Sequence, residues 1–124
     1  MLVKNLMNKP KVIEKDMDLN KVARLLKEHD ISSLIMIKKN KIVGIITKDD
    51  LAKNFGRKAK VSKVMTKKVI TVPSTSKASE AITIMKENGI GVLPVVDKGG
   101  HLIGVLAAKD LLFKACENPD FLFD

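Results

Sequence analysis

The sequence predicts a mixed α/β (α+β) fold in which two βαββα repeats stand in tandem and build one module. Three observations lead there. The apolar pattern of the first half returns in the second, at an offset that drifts from 58 residues (Val3 to Val61) to 60 (Ile42 to Leu102). Within each copy, helical spacing alternates with short continuous apolar runs. The chain of 124 residues has the size of one compact domain, whereas a single copy of roughly 55 residues would bury too little surface to stand alone.

Taken in order, Val3, Leu6 and Met7 are spaced i, i+3, i+4 and return as Val61, Val64 and Met65, which predicts one short helical face in each copy. Leu19, Val22, Ala23 and Leu26 return as Ala78, Ala81, Ile82 and Met85, the buried stripe of an amphipathic helix. Asp16 or Asp18 in the first copy, and Thr75 or Ser76 in the second, offer side-chain oxygens to the helix starts. The helices end near Glu28-His29-Asp30-Ile31 and Glu87-Asn88-Gly89-Ile90, and strands follow at 34–37 and 93–96. Their unbroken apolar character predicts strands covered on both faces. Short polar turns, 38–41 and 97–100, lead into second strands at 42–46 and 102–106. Connections that short require antiparallel hairpins. Final helices open at Asp49-Asp50-Leu51 and Lys109-Asp110-Leu111. The division is therefore repeat 1 at 1–58, repeat 2 at 59–117 and a tail at 118–124, with Gly56-Arg57-Lys58-Ala59-Lys60 as the join.

The composition, 45% hydrophobic and 30% charged, is that of a soluble globular protein, and with 3% aromatics the core must be aliphatic. The apolar run 34–37 is far too short to span a membrane, and the N-terminus lacks the apolar stretch of a signal peptide. A lone Cys116, read as a small buried residue, fits a reducing compartment, so the expected location is cytoplasmic, away from membranes. Abundant lysine and absent glutamine resemble proteins of hot environments. The net charge of +9 is concentrated: no acidic residue lies between Asp50 and Glu80, a stretch that holds Lys53, Arg57, Lys58, Lys60, Lys63, Lys67, Lys68 and Lys77. Such a run is by default a solvated surface, and it can also attract the phosphates of a nucleotide or a nucleic acid.

Enzyme chemistry finds little support. His29, His101 and Cys116 show no metal-ligand spacing and no nucleophile signature. Gly99-Gly100 falls in a hairpin turn rather than in a phosphate-binding loop. The reading is a protein without catalytic residues, metal or catalytic cofactor.

The stretches Val64-Met65-Thr66, 89–97 (GIGVLPVVD) and 44–50 (GIITKDD) resemble the cystathionine β-synthase (CBS) domain family, and the resemblance covers nearly the whole chain. It implies two repeats paired about a pseudo-twofold axis. It also implies two clefts for adenosine-containing ligands: AMP, ADP, ATP, S-adenosylmethionine or methylthioadenosine. The chemistry centres on Thr47 and Asp50. A Thr at a helix start with an acid three residues on makes a capping box, which alone accounts for both residues. The same carboxylate is suited to accept hydrogen bonds from a ribose diol, and the helix N-terminus beside it favours anions.

Carried over by position, the resemblance places Thr47, Asp50, Ile45 and Ser32 in one cleft, facing Thr66, Ile70, Ile90 and Gly91. Its aliphatic members would hold an adenine, and Gly91 would admit a close backbone approach. Ordinary core packing explains the same apolar residues. The second cleft would take Asp110, Val105 and Val92, facing Asn8, Val12, Ile31 and Ser32. There the hydroxyl expected three positions before Asp110 is replaced by Ala107, so one hydrogen-bond partner is missing and the two clefts should differ. Lys48, Lys67, Lys68 and Lys109 lie near enough in sequence to meet phosphates.

The resemblance further implies a homodimer with disc-like packing and, for a module without an effector domain, a protein partner that receives its signal. A different class of function is nucleic-acid binding through Arg57, Lys58, Lys67 and Lys68, which would be salt-sensitive and weakly sequence-specific given so few aromatics. Phe121 and Phe123 of the tail are expected to dock on this module or on its dimer mate.

Overall fold

A computed structural model of the chain describes residues 1–117. The tail with Phe121 and Phe123 lies outside the described residues. The described residues pack into two compact units, Lys11–Val69 and Met1–Pro10 with 70–117. No helix among the described residues is long and apolar enough to cross a membrane.

The unit Lys11–Val69 contains β1 (Val12–Ile13), α1 (Leu19–Glu28), β2 (Ser33–Lys38), β3 (Lys41–Thr47), α2 (Lys48–Lys53) and α3 (Val61–Val64). Its sheet runs β1-β2-β3, with β1 parallel to β2 and β2 antiparallel to β3. The other unit repeats the plan with a 3-10 turn (Val3–Asn5), β4 (Val72–Pro73), α4 (Ala78–Asn88), β5 (Val92–Val96), β6 (Leu102–Ala107) and α5 (Ala108–Glu117). Its sheet runs β4-β5-β6 with the same parallel and antiparallel pairings. Lys39 and Asn40, at φ 54° and 63°, make the tight turn of the first hairpin. Positive φ at both central residues matches the right-handed twist of the flanking strands.

Each unit thus carries the short helical segment that opens the other sequence repeat. In Lys11–Val69 the exchanged segment is sewn to the start of α1: Val61 N–H donates to the Met17 carbonyl at 2.8 Å, and Leu19 N–H to the Ala59 carbonyl at 3.2 Å. In the other unit Val3 N–H donates to the Ser76 carbonyl at 2.8 Å, and Ala78 N–H to the Met1 carbonyl at 2.9 Å.

These main-chain bonds correct the expected side-chain caps. Asp18 and Lys77 occupy the cap positions of α1 and α4, and neither side chain makes a capping bond. A backbone carbonyl from the exchanged segment takes the first helical amide instead, meeting the same demand of unpaired N–H groups. Asp16 turns to that segment too, its carboxylate accepting from Ser62 N–H and Met17 N–H, both at 3.0 Å, and from the Ser62 hydroxyl.

The core of each unit is aliphatic. Val22, Leu26, Leu34, Ile46 and Val61 are buried in one, and Val3, Ala81, Leu93, Val95 and Leu106 in the other. Burying one such side chain contributes about 1.5–3 kcal/mol, which explains why the exchanged Val3 and Val61 are as fully buried as any strand residue. Two expectations need correction. Ala23 is exposed, so the stripe on α1 is narrower than its apolar residues suggest. Cys116 is exposed on α5 rather than buried.

Candidate functional site

In Lys11–Val69 the site grows from the end of β3. Ile45 and Thr66 exchange both backbone bonds, Ile45 N–H to the Thr66 carbonyl at 3.0 Å and the reverse at 2.9 Å. This bridge brings the exchanged segment alongside the strand, two residues before Thr47. Lys48 N–H donates to the Ser32 carbonyl at 3.0 Å, which fixes Ser32 beside the start of α2.

The capping box at Thr47 and Asp50 is complete. The Thr47 hydroxyl accepts from Asp50 N–H at 3.3 Å, and Asp50 Oδ2 accepts from Thr47 N–H at 2.9 Å and from the Thr47 hydroxyl at 3.1 Å. Asp50 is half-buried. Both donors from Thr47 converge on one carboxylate oxygen, and a carboxylate has about four acceptor sites. The group is oriented and keeps acceptor capacity for a ligand hydroxyl.

The second unit builds the equivalent place from different chemistry. Asn8, the positional counterpart of Thr66, exchanges backbone bonds with Val105 at 2.8 and 2.9 Å. Its side-chain Nδ2 donates to Asp110 Oδ2 at 2.9 Å. The partner that Ala107 cannot supply is therefore replaced by an amide arriving from 102 positions away. This corrects the expectation of a missing hydrogen-bond partner. The resemblance already sets Asn8 opposite Asp110; that its amide takes the place of the hydroxyl lost at Ala107 becomes legible only when the bridge to Val105 is known.

The first expected set thus divides as follows: Thr47, Asp50, Ile45, Ser32 and Thr66 lie in one unit, Ile70, Ile90 and Gly91 in the other. In the second set Asp110, Val105, Val92 and Asn8 share a unit, while Val12, Ile31 and Ser32 belong to Lys11–Val69. Ile45 is buried, Ile31, Ser32, Ile90 and Val92 are half-buried, and Val12, Ile70 and Gly91 are exposed.

The basic residues are all exposed: Lys48, Arg57, Lys58, Lys67, Lys68 and Lys109. Arg57 and Lys58 line a groove of about 520 Å³ with Lys60, Asp18 and Asn20. Lys60 lies 3.9 Å from Asp18 in an open ion pair, a kind that contributes little. An apolar groove of about 450 Å³ lies between α4 and α5, lined by Ile82, Met85, Ile90, Leu111, Leu112 and Ala115.

Two carboxyl groups are held below the ordinary carboxylate value. For Asp16 the main cause is the Ser62 hydroxyl, assisted by the amides of Ser62 and Met17 and opposed by burial. For Asp97 it is the His101 backbone N–H, then that of Gly99. His101 Nδ1 sits 3.4 Å from Asp97 Oδ1, and His101 is half-buried against the hairpin turn.

A duplicated βαββα unit with an acid at the start of the last helix of each copy defines a tandem α/β repeat module. The chain belongs to the CBS domain family, whose model matches residues 3–57 and 61–116. Over 93 residues, 73% of the chain, it is 45% identical to an inosine-5'-monophosphate dehydrogenase of Thermoplasma acidophilum, of which it spans 19%. It is 34% identical to an uncharacterised 17.7 kDa protein of Acidianus ambivalens, covering 81% of this chain and 63% of that one. Among solved structures, it is similar to a CBS domain pair in complex with methylthioadenosine and S-adenosyl-L-methionine, at 29% identity and a TM-score of 0.85, covering 94% of this chain and 98% of that one. The fold is also that of a CBS domain protein from Pyrobaculum aerophilum, at 19% identity and a TM-score of 0.87, with both chains fully covered.

Proposed function

We propose that this chain is a regulatory module without catalysis of its own, which binds adenosine-containing ligands at the site built around Thr47 and Asp50 and passes the occupied state to a protein partner. The carrying observation is the oriented Asp50 carboxylate, tied to Thr47 through one oxygen. Likeness to a CBS domain pair that holds methylthioadenosine and S-adenosyl-L-methionine supports the ligand class. Exposed Lys48 beside the box suits a phosphate, which keeps AMP, ADP and ATP in the class.

A second copy of the chain is the proposed first partner. Phe55, Leu112 and Phe113 are 93%, 67% and 69% exposed, and burying such side chains favours association. The site is tested by thermal unfolding with AMP, ATP, S-adenosylmethionine and methylthioadenosine. A ligand of the folded state at a hundred times its Kd stabilises it by about 2.7 kcal/mol. A panel in which no compound raises the midpoint contradicts the proposal.

A further inference from the structure

The two units present the same acid at the same place in the fold, yet secure it differently. Asp50 is held by Thr47, three residues away on the same helix start. Asp110 is held by Asn8. That residue stands at the end of the segment whose Val3 and Leu6 are buried in the core of this unit, and whose Asn8 backbone is bridged to Val105. Met7, between them, seats its side chain over Gly104, where an added Cβ would overlap it. The side chain of Asn8 is therefore delivered to Asp110 by a backbone fixed on both sides.

We propose that Asn8 is the positioning and specificity-determining residue of the site at Asp110. It substitutes for the hydroxyl that Ala107 lacks and makes that site's readiness depend on the seating of Met1–Pro10. This rests on the reading above, in which these acids receive a ribose diol. The box at Asp50 is local and preset, whereas the tie at Asp110 joins groups far apart in sequence and depends on the packing of the N-terminal segment. An amide also differs from a hydroxyl in what it offers a ligand. Its second N–H and its carbonyl oxygen can pair with a donor and an acceptor together, the pattern of an adenine edge. The two sites are thereby given different preferences among adenosine compounds.

The test uses the full chain with AMP and methylthioadenosine as probes, followed by titration calorimetry. In an Asp50→Ala background, which leaves the second site to be read alone, Asn8→Ala is expected to weaken binding about tenfold or more, the effect of losing a hydrogen bond to a charged group. In an Asp110→Ala background the same change is expected to leave binding within about twofold. A merely structural role for Asn8 would not divide the sites in this way. Adding Ala107→Thr to Asn8→Ala restores a local box and is expected to recover most of the lost affinity. Equal affinity of Asp50→Ala with and without Asn8→Ala overturns the inference.

A ligand-free measurement separates this from failure of the binding reading. If the Asp50→Ala protein binds neither probe, the reading of Asp110 as a ribose acceptor fails. A double-mutant cycle of Asn8→Ala and Asp110→Ala on unfolding then decides the tie itself: coupling between the two sustains it, and additivity overturns it.

Discussion

Replacing Thr47 by Ala removes one hydroxyl and leaves the backbone N–H that donates to Asp50 at 2.9 Å. Two bonds go with the hydroxyl: the one it accepts from Asp50 N–H at 3.3 Å and the one it donates to Oδ2 at 3.1 Å. The helix it caps, Lys48–Lys53, has 6 residues, too few to persist without its cap and its packing. Loss of a Thr cap costs about 1 kcal/mol, within a span of about 0.5–2. For a chain of this length that corresponds to a midpoint lowered by roughly 4 °C. Thr47→Ser keeps the oxygen and is expected to stay within about 0.5 kcal/mol of wild type. Urea unfolding of the three proteins, with thermal melts beside it, measures both effects. The reasoning is refuted if Thr47→Ala matches wild type, or if Thr47→Ser loses as much as Thr47→Ala, since the hydroxyl would then carry no part of the stability.

Two further outcomes follow from the packing of the exchanged segments. A Cβ at Gly104 would overlap Met7 Sδ and Cγ and crowd its Cβ, which is fixed to the backbone of the segment, whereas at Gly44 the overlap is with Sδ, Cε and Cγ of Met65, which can rotate away. Gly104→Ala is expected to cost about 1–3 kcal/mol and Gly44→Ala less, by denaturant unfolding; the reverse order contradicts this. Asp16 has a folded-state value below 3.8, so its contribution is complete above that value and is lost as the pH falls through the lowered one. Asp16→Asn is therefore expected to be less stable than wild type at pH 7, with the gap closing below about pH 3.8. A gap independent of pH between 7 and 3 excludes the Asp16–Ser62 contact as its source.

What the sequence shows and what it hides differ by the distance over which each feature is encoded. Val22, Leu26, Leu93 and Leu106 are readable as core because helical and strand periodicity is local, and all four are buried. The box of Thr47 and Asp50 is equally readable, since it spans three positions. By contrast, the carbonyls of Ala59 and Met1 that begin α1 and α4 belong to the main chain, which residue type does not mark. The exchange of leading segments between units is hidden in the same way, because Val3 and Val61 show their apolar spacing but not the core they enter. Asn8 and Asp110 lie 102 positions apart. No local pattern joins them; only the resemblance sets them in one cleft. Ala23 and Cys116 misled because an apolar or small residue at the edge of a stripe packs only if a neighbour covers it.

The central claim is that Asp50 receives the ligand. It is tested most directly by calorimetric titration of wild type and Asp50→Ala with AMP, ATP, S-adenosylmethionine and methylthioadenosine. Asp50→Ala removes an oriented acceptor of charge-assisted bonds, which contribute about 1.5–3 kcal/mol each. The expected result is that at least one compound binds wild type, and that Asp50→Ala loses one site or about tenfold or more in affinity. Binding of every compound to both proteins with the same affinity and stoichiometry would contradict the account.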